Sequence, residues 1–432
     1  MLKSKVIEIY KLSYKPLLFY IIILTQGIFF LKFIAFPLIA ILIGKKVIKE
    51  IKITNQVIFY TFIIIYSTFF VFIYSVFDFS IKYLVAAFLG IFIWFLCLIN
   101  NIITTTIISN IHLKRTKATI DIIFIINAIV SFLQLFILMI EYKAINPFSS
   151  EVGMSAGDAI TGIFANSSVN MVILSLFFSF YLFKKENFKA VVTIIIILLT
   201  TYMSGILIFG AIFSFYFLLI SKFSITKKIV LLFSLIALST LFYFVSKDNV
   251  EYVVNISSTV VEDVPPRKLT SFQQTLAFSS SSYSNFFFGN GIGNFSSRLA
   301  YIAGGEYVSW YPPYLVRRSH QFNNNHFQLW NYDILSTPFF DGTANQPFSV
   351  FNQFLGEYGF IGTIILLYFY FYSLFKQSKK YSFIRLLLVL LFFYMLLDYW
   401  FEFFSVIVVF ELIVAYWLKE ASEKIKHKQI VA

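Results

Sequence analysis

The sequence predicts an all-α membrane protein that crosses the bilayer many times and carries one large loop on its outer face. Hydrophobic residues make up 59% of the 432 residues and charged residues only 13%, and the mean hydropathy is +0.82. A soluble domain is about 25% charged, and no water-soluble fold could bury this much apolar surface. The apolar residues also fall into runs close to the roughly 20 residues that a helix needs to cross a bilayer.

Six of these runs fit one crossing each. The last of them has an irregular start, because glycines interrupt it near residues 356–362. The six runs are 57–77, 83–109, 119–140, 166–183, 228–245 and 348–375.

Three further runs, 17–44, 190–221 and 386–418, carry a basic residue at both ends. Lysine and arginine collect on the cytoplasmic side of membrane proteins, so both ends of each run are predicted to lie inside. The chain would then double back within the run as two short helices. For 17–44, which also contains Lys32, one crossing and two crossings both remain open.

Together these runs predict about twelve transmembrane helices, with both termini in the cytoplasm. Residues 1–245 would hold helices one to nine and a small outer loop at 141–165. Residues 246–346 would form the large outer loop, 347–418 helices ten to twelve, and 419–432 a cytoplasmic tail. The net charge of +13 follows from the basic inner segments, so no nucleic-acid partner is predicted.

Several classes of chemistry are excluded by missing motifs. The sequence has no HExxH, no Walker A and no GxGxxG motif, and its single cysteine, Cys97, lies inside an apolar run. The histidines are scattered at positions 112, 320, 326 and 427. The sequence therefore predicts no metal site and no cofactor.

The last apolar run contains three acidic residues, Asp398, Glu402 and Glu411. Ionisable residues at membrane depth are rare and usually functional. Asp398 and Glu402 share one face of a continuous helix, but they could equally lie in the outer turn of the pair, exposed to water.

Glycines and prolines give the large loop its clearest local structure. Pro265 and Pro266 precede a stretch with helical spacing, so a helix is expected to begin at Arg267. Gly289, Gly291 and Gly293 alternate farther on, which permits a tight turn and a close backbone approach to a ligand.

Four arginines in this loop suit a diphosphate ligand, because a guanidinium fork binds phosphate oxygens in a bidentate way without a metal. The alternative for each is a solvated loop charge. Two histidines nearby, and a glutamate where the chain re-enters the membrane, are candidate bases; the glutamate could equally be structural. The arginines are Arg267, Arg298, Arg317 and Arg318, and the candidate bases are His320, His326 and Glu357.

Three segments resemble motifs of the O-antigen polymerase and ligase superfamily of bacterial envelope glycosyltransferases. Residues 161–166 (TGIFAN) resemble its Gly-x-Phe-x-Asn segment at a helix entry. Arg267 followed by 289–295 (GNGIGNF) resembles its arginine-helix-GxGxGNF pattern, and 357–362 (EYGFIG) resembles its Glu-x-Gly-x-x-Gly return helix. Phe348 and Ser349 stand where the ligase branch carries a His-Asn pair, which favours the polymerase branch.

The resemblance implies a metal-independent transferase of the inner membrane, with a bundle similar to that of GT-C glycosyltransferases and its large loop in the periplasm. Its substrates would be oligosaccharide repeat units on undecaprenyl diphosphate, joined into the O-antigen of lipopolysaccharide or another surface polysaccharide. Membrane lipids and a chain-length regulator would be further partners. A ligase-like glycan transferase and a repeat-unit flippase are the alternatives.

The resemblance also implies roles for individual residues. A hydroxyl of one repeat unit would attack the anomeric carbon of the growing chain, and arginines would stabilise the departing diphosphate. The catalytic candidates are Arg267, His326 and Glu357, and the candidates for diphosphate or substrate binding are Arg298, Arg317, Arg318, His320, Gly291, Gly293 and Asn166.

Overall fold

Helices form all the regular structure in the described part of the chain. The predicted run 17–44 and the N-terminus lie outside it, as do parts of both outer segments. The computed structural model describes residues 53–77, 80–110, 113–148, 159–220, 224–248, 250–251, 254–255, 265–336, 342–378 and 382–431.

Five helical segments of this part are long and apolar enough to cross a membrane, which suggests a multi-pass membrane protein. Four of them lie in α1 (Asn55–Phe77), α2 (Ile81–Asn110), α3 (Leu113–Glu141) and α4 (Ser167–Lys184). Each of these helices coincides with a predicted run to within a few residues, because the hydropathy of a run sets the extent of its helix.

The run 190–221 doubles back in the way that its flanking lysines predict. It contains α5 (Asn187–Leu199) and α6 (Met203–Phe215), and α6 continues as a π-helical turn to Ile220. Between them Thr201 has a left-handed backbone with φ of 53°. The rings of Phe209 and Phe213 pack on Phe178 of α4. Helix α7 (Ile225–Val245) follows.

The large loop is folded in its described part and contains short helices, as expected. Helix α8 (Arg267–Ser280) begins after the two prolines, where the sequence places it, and α9 (Tyr283–Phe288) precedes the glycine turn. The remaining helices are α10 (Arg298–Gly304), α11 (His320–Asn324), α12 (His326–Leu329) and α13 (Tyr332–Leu335).

The chain returns through a segment that has the irregular start predicted for it. It comprises α14 (Val350–Gln353), a π-helical turn over Phe354–Tyr358, α15 (Gly359–Ile365), a second π-helical stretch and α16 (Ser373–Gln377). The span Val350–Gln377 is the fifth of the long apolar segments.

The last run also doubles back. Helices α17 (Ser382–Tyr394) and α18 (Phe404–Val431) are joined by an irregular segment at 395–403. The Phe383 ring lies 4.6 Å from the Trp417 ring, so the start of α17 is beside the later part of α18. Helix α18 extends to Val431, so the predicted tail is helical over 419–431.

The basic ends of several helices meet at one end of this bundle. Lys189 Nζ lies 2.9 Å from Asp121 Oδ1 of α3, and Lys184 of α4 pairs with Glu420 of α18. These contacts bring the segments near residues 117, 185 and 420 together. The predicted orientation requires this, because it places all three segments on the same side of the membrane.

The large loop packs at the opposite end. Lys419 Nζ donates to the carbonyl of Ile108 at the far end of α2, whereas Gly90, in the first third of α2, lies beneath Ile292 and Leu299 of the loop. The fold therefore places the loop over the junction of α1, α2, the return segment and the turn at 395–403.

A candidate site between the large loop and the return helix

Backbone contacts join the glycine turn of the loop to the π-helical start of the return segment. Asn290 N donates to the carbonyl of Gly356 at 2.8 Å, and Gly291 N donates to the carbonyl of Glu357 at 2.9 Å. The two segments that resemble family motifs are thus adjacent in space, although more than sixty residues separate them in the chain.

Only glycine fits at the closest points of this contact. Gly289 has φ of 69°, and a Cβ there would lie 2.7 Å from the carbonyl carbon of Glu357. Gly359 has φ of 62°, and its Cβ would lie 2.5 Å from the carbonyl carbon of Phe287. Gly291 and Gly293 also have positive φ, so the alternating glycines form the tight turn that their spacing predicts.

The carboxyl group of Glu357 anchors the segment that follows this turn. Its side chain is fully buried, and Oε1 accepts from Ser297 Oγ at 2.7 Å and from Ser296 N at 3.2 Å. The other oxygen, Oε2, is buried and makes no hydrogen bond of standard geometry, although the backbone of Gly293 also interacts with this carboxyl group. Glu357 therefore anchors this segment chiefly through one of its two oxygens.

A second buried carboxyl group, that of Glu402, lies beside the same segment. Its Oε2 accepts from Leu299 N at 3.3 Å, and its Oε1 accepts from Gln353 Nε2 at 3.2 Å. The Glu402 carbonyl accepts from Arg298 Nη1 at 3.2 Å, while Nε of Arg298 is buried without a partner. Arg298 is thus held next to Glu402, with its guanidinium over the ring of Phe403.

The alternative in which Asp398 and Glu402 are exposed to water is wrong. Both lie in the turn at 395–403, where that alternative places them, but both are buried. The large loop covers the turn and excludes water from it.

Glu411 lies deeper in the bundle and has a full set of partners. It accepts from Tyr60 Oη at 2.7 Å, from Asn100 Nδ2 at 2.9 Å and from Tyr370 Oη at 3.3 Å. These contacts link α1, α2, the return segment and α18, so Glu411 joins helices away from the loop.

His326 is buried in a hydrogen-bonded chain behind the turn. Its Nδ1 lies 2.6 Å from Ser296 Oγ, which in turn lies 2.7 Å from Tyr399 Oη. Its Nε2 lies 3.1 Å from the carbonyl of Ser271, which can only accept. The proton is therefore on Nε2, and Nδ1 accepts from Ser296. The pKa of His326 is lowered to about 3, chiefly by burial and to a smaller extent by Lys268 nearby, against an opposing hydrogen bond to Ser271.

Arg267 begins the helix that supports this histidine. Thr275 Oγ1 of α8 lies 3.2 Å from His326 Nε2. Residues four apart lie on one face of a helix, so Arg267, Ser271 and Thr275 share the α8 face that packs on His326. Next to Arg267, Lys268 Nζ donates to the carbonyls of Phe348 and Leu397, and burial lowers its pKa to about 7, against the opposing effect of Asp398.

The arginine pair at 317–318 divides between two environments. Arg317 Nη1 donates to Asn294 Oδ1 of the glycine turn at 2.7 Å, and its guanidinium stacks over Tyr83. Arg318 instead pairs with Glu306 at 2.6 Å and lies over Phe327. Of the two, only Arg317 is placed at the turn.

Two remaining candidates lie away from the turn. His320 is exposed, and its Nε2 lies 3.0 Å from Asn324 Nδ2. Asn166 caps α4, because its Oδ1 accepts from Val169 N at 2.9 Å. The side chain of Asn166 therefore has a structural role in starting a helix.

The site brings together Gly291, Gly293, Arg298, Arg317, His326 and Glu357. Sequence reasoning missed Ser296, Tyr399 and Gln353, because nothing in their local sequence marks them. Glu402 had a signal, since it is an acidic residue within an apolar run.

Chemically, the arrangement offers one guanidinium group at the glycine turn, that of Arg317, and a second beside Glu402, that of Arg298, together with the buried carboxyl group of Glu357. Within the described ranges, no three His, Cys, Asp or Glu side chains are grouped to hold a metal ion. No protein-family model, no curated protein and no solved structure matches this chain.

Proposed function

We propose that this protein is a metal-independent glycosyltransferase of the bacterial inner membrane that polymerises surface polysaccharide such as O-antigen. It joins oligosaccharide repeat units carried on undecaprenyl diphosphate. In this proposal the chain crosses the membrane about twelve times, both termini are cytoplasmic, and the large loop faces the periplasm.

The contact between the glycine turn and the return segment carries the proposal. Each segment alone is a short motif with a weak signal. Their pairing through Asn290, Gly291, Gly356 and Glu357 gives both motifs a common structural purpose, and it places Arg298 and Arg317 at the same junction.

Within this proposal the arginines stabilise the leaving group. The acceptor hydroxyl attacks the anomeric carbon, the bond from that carbon to the diphosphate oxygen breaks, and undecaprenyl diphosphate leaves with the electron pair. Negative charge grows on the diphosphate during this step, and guanidinium groups in a water-poor site stabilise it. Arg317 lies at the glycine turn, Arg298 lies beside Glu402, and Arg267 begins the adjoining helix α8.

Glu357 is the favoured acceptor for the hydroxyl proton. Its Oε2 makes no hydrogen bond of standard geometry, whereas both ring nitrogens of His326 have hydrogen-bond partners and His320 lies away from the turn. His326 is then a positioning residue that holds Ser296 and, through it, the segment that contacts Glu357.

A deletion strain tests the function. We expect cells without this protein to accumulate single repeat units on their lipid acceptor, and the ladder of long glycan chains on a gel to disappear. Loss of all surface repeat units would instead indicate a flippase or a ligase. A ladder of normal length would refute the polymerase function.

A topology reporter tests the orientation on which the chemistry depends. A reporter that is active only in the periplasm, fused within 320–328, should be active, and one fused after residue 189 should be inactive. The reverse pattern would place the arginines on the side away from the proposed substrate.

A further inference from the structure

Helix α9 carries an aromatic surface that the fold leaves partly exposed. Tyr283 is 87% exposed, and Phe286, Phe287 and Phe288 are 39–44% exposed. We call these four side chains the α9 aromatic patch. A protein surface that faces water rarely carries several phenyl groups together. An exposed apolar patch of this kind therefore marks a contact surface.

The α9 aromatic patch is continuous with the apolar surface of the return segment. The ring of Phe286 stacks on that of Phe360, with centroids 5.0 Å apart. Phe360 and Ile364 are themselves exposed on α15, which belongs to a segment long and apolar enough to cross the membrane.

On its other side the patch adjoins α1. Tyr66 Oη donates to the carbonyl of Phe288, and Tyr74 Oη donates to the carbonyl of Asn290 at 2.9 Å. Ile65, Phe69 and Phe72 of α1 are exposed in the same region of the helix. The patch therefore lies between two surfaces that face lipid.

The contact with Tyr66 also sets the depth of the patch. Tyr66 lies within the apolar span Asn55–Tyr74, eight residues before its end, which corresponds to roughly 12 Å along the axis. Irregular backbone is tolerated at such a depth only where protein satisfies it. The glycine turn meets this condition, because the return segment accepts hydrogen bonds from Asn290 and Gly291.

We propose that the α9 aromatic patch inserts among the acyl chains of the outer leaflet, so that the large loop dips into the bilayer beside α1 and α15. Lipid hydrocarbon is the partner that fits, since the patch is apolar and lipid-facing helices border it on both sides. This inference does not depend on the reaction that the protein catalyses.

Single-cysteine labelling in phosphatidylcholine vesicles tests the proposal. The chain has one cysteine, Cys97, and it is fully buried, so the unsubstituted protein serves as the reagent blank. An environment-sensitive dye is attached to the cysteine of the Phe287→Cys variant. Its fluorescence is measured in vesicles whose acyl chains are brominated near mid-length, which quench a dye in the bilayer, and separately with iodide, which quenches a dye in water.

Two matched positions calibrate the result. Phe69→Cys on α1 is the lipid-facing reference, and Gln328→Cys on the exposed side of α12 is the aqueous reference. We expect dye at position 287 to be quenched by brominated chains to within twofold of position 69, and to be shielded from iodide several-fold more than position 328.

Tyr283→Cys at the other end of α9 repeats the measurement in case Phe287→Cys does not fold. Strong iodide quenching at the folded variant, matching that at position 328, would overturn the proposal. Bromine quenching at position 283 or 287 supports it even if the protein proves not to be a polymerase.

Discussion

Ser297 Oγ donates a 2.7 Å hydrogen bond to Glu357 Oε1, joining two residues that lie sixty positions apart in the chain. The same oxygen accepts from Ser296 N. One buried carboxylate oxygen thus fixes the loop after the glycine turn to the start of the return helix, and the second oxygen makes no hydrogen bond of standard geometry.

Substitution of Glu357 should separate its structural role from its chemical role. Glu357→Ala leaves the buried Ser296 amide and Ser297 hydroxyl without an acceptor, at a cost of about 1–3 kcal/mol each. Glu357→Gln retains an acceptor oxygen at this position. We expect the melting temperature in detergent to fall by several degrees for Ala and much less for Gln.

The ladder of glycan chains on a gel then reports whether the Glu357 carboxylate takes part in the reaction. Under the proposed function, Glu357→Gln should remove long chains although the protein still folds and remains in the membrane. A Gln variant that folds and gives a ladder of normal length would show that the carboxylate is needed only as an anchor.

The glycine contact should not tolerate any side chain. Gly289→Ala places a methyl group against the backbone of Glu357 in a conformation that only glycine adopts readily, so it should destabilise the protein by more than about 1–3 kcal/mol. The matched control is Gly210→Ala, since a Cβ there meets nothing within 4 Å. Alanine in this helix should stabilise it by about 0.5–1 kcal/mol. Equal melting temperatures for both variants would contradict the close approach.

Arg317 and Arg318 form a matched pair for the proposed diphosphate site. Arg317→Ala removes the guanidinium at the glycine turn and should shorten or abolish the glycan ladder. Arg318→Ala removes no contact with the glycine turn. It removes a partly solvent-exposed ion pair with Glu306, which contributes little to stability, a hydrogen bond to the carbonyl of Gly304 and the contact with Phe327. Normal chain lengths in the Arg317 variant, at normal protein levels, would exclude this residue from the site.

Acid should destabilise the protein through His326. Its pKa of about 3 in the folded state lies below the value of about 6.5 in an unfolded chain. Between these values the unfolded chain binds the additional proton, so the free energy of unfolding falls as the pH is lowered. From pH 7.5 to pH 5 the loss should be about 2 kcal/mol.

Comparison of wild type with His326→Asn isolates this effect from other titrating groups. The variant should be less stable at pH 7.5, because the carbonyl of Ser271 loses its partner at Nε2, but its stability should fall less on acidification. Parallel melting curves against pH for the two proteins would show that the histidine is not buried in its neutral form.

The sequence predicts those features that depend on local pattern. Hydropathy locates α1 to α4, and basic residues at both ends of 190–221 and 386–418 indicate that the chain doubles back. The glycines at 289, 291 and 293 predict a turn because their backbone freedom is a local property.

Features that depend on packing between distant parts of the chain could not be predicted from local sequence patterns. Arg317 and Arg318 are neighbours of the same type, yet one contacts Asn294 and the other Glu306. The burial of Glu402 and the hydrogen-bonded chain through Tyr399, Ser296 and His326 arise only when the loop folds over the turn at 395–403.

The two thirteen-residue helices α5 and α17 are each about 20 Å long, whereas the hydrocarbon core of a bilayer is about 30 Å thick. Helices that begin at the inner surface with these lengths stop well short of the outer one. The turn at 395–403 therefore lies below the outer surface of the bilayer, and the large loop that covers it reaches down to contact it. Under the proposed function, the loop would then bind the sugar of its lipid-linked substrate near the plane of the headgroups, without drawing the isoprenoid anchor out of the membrane.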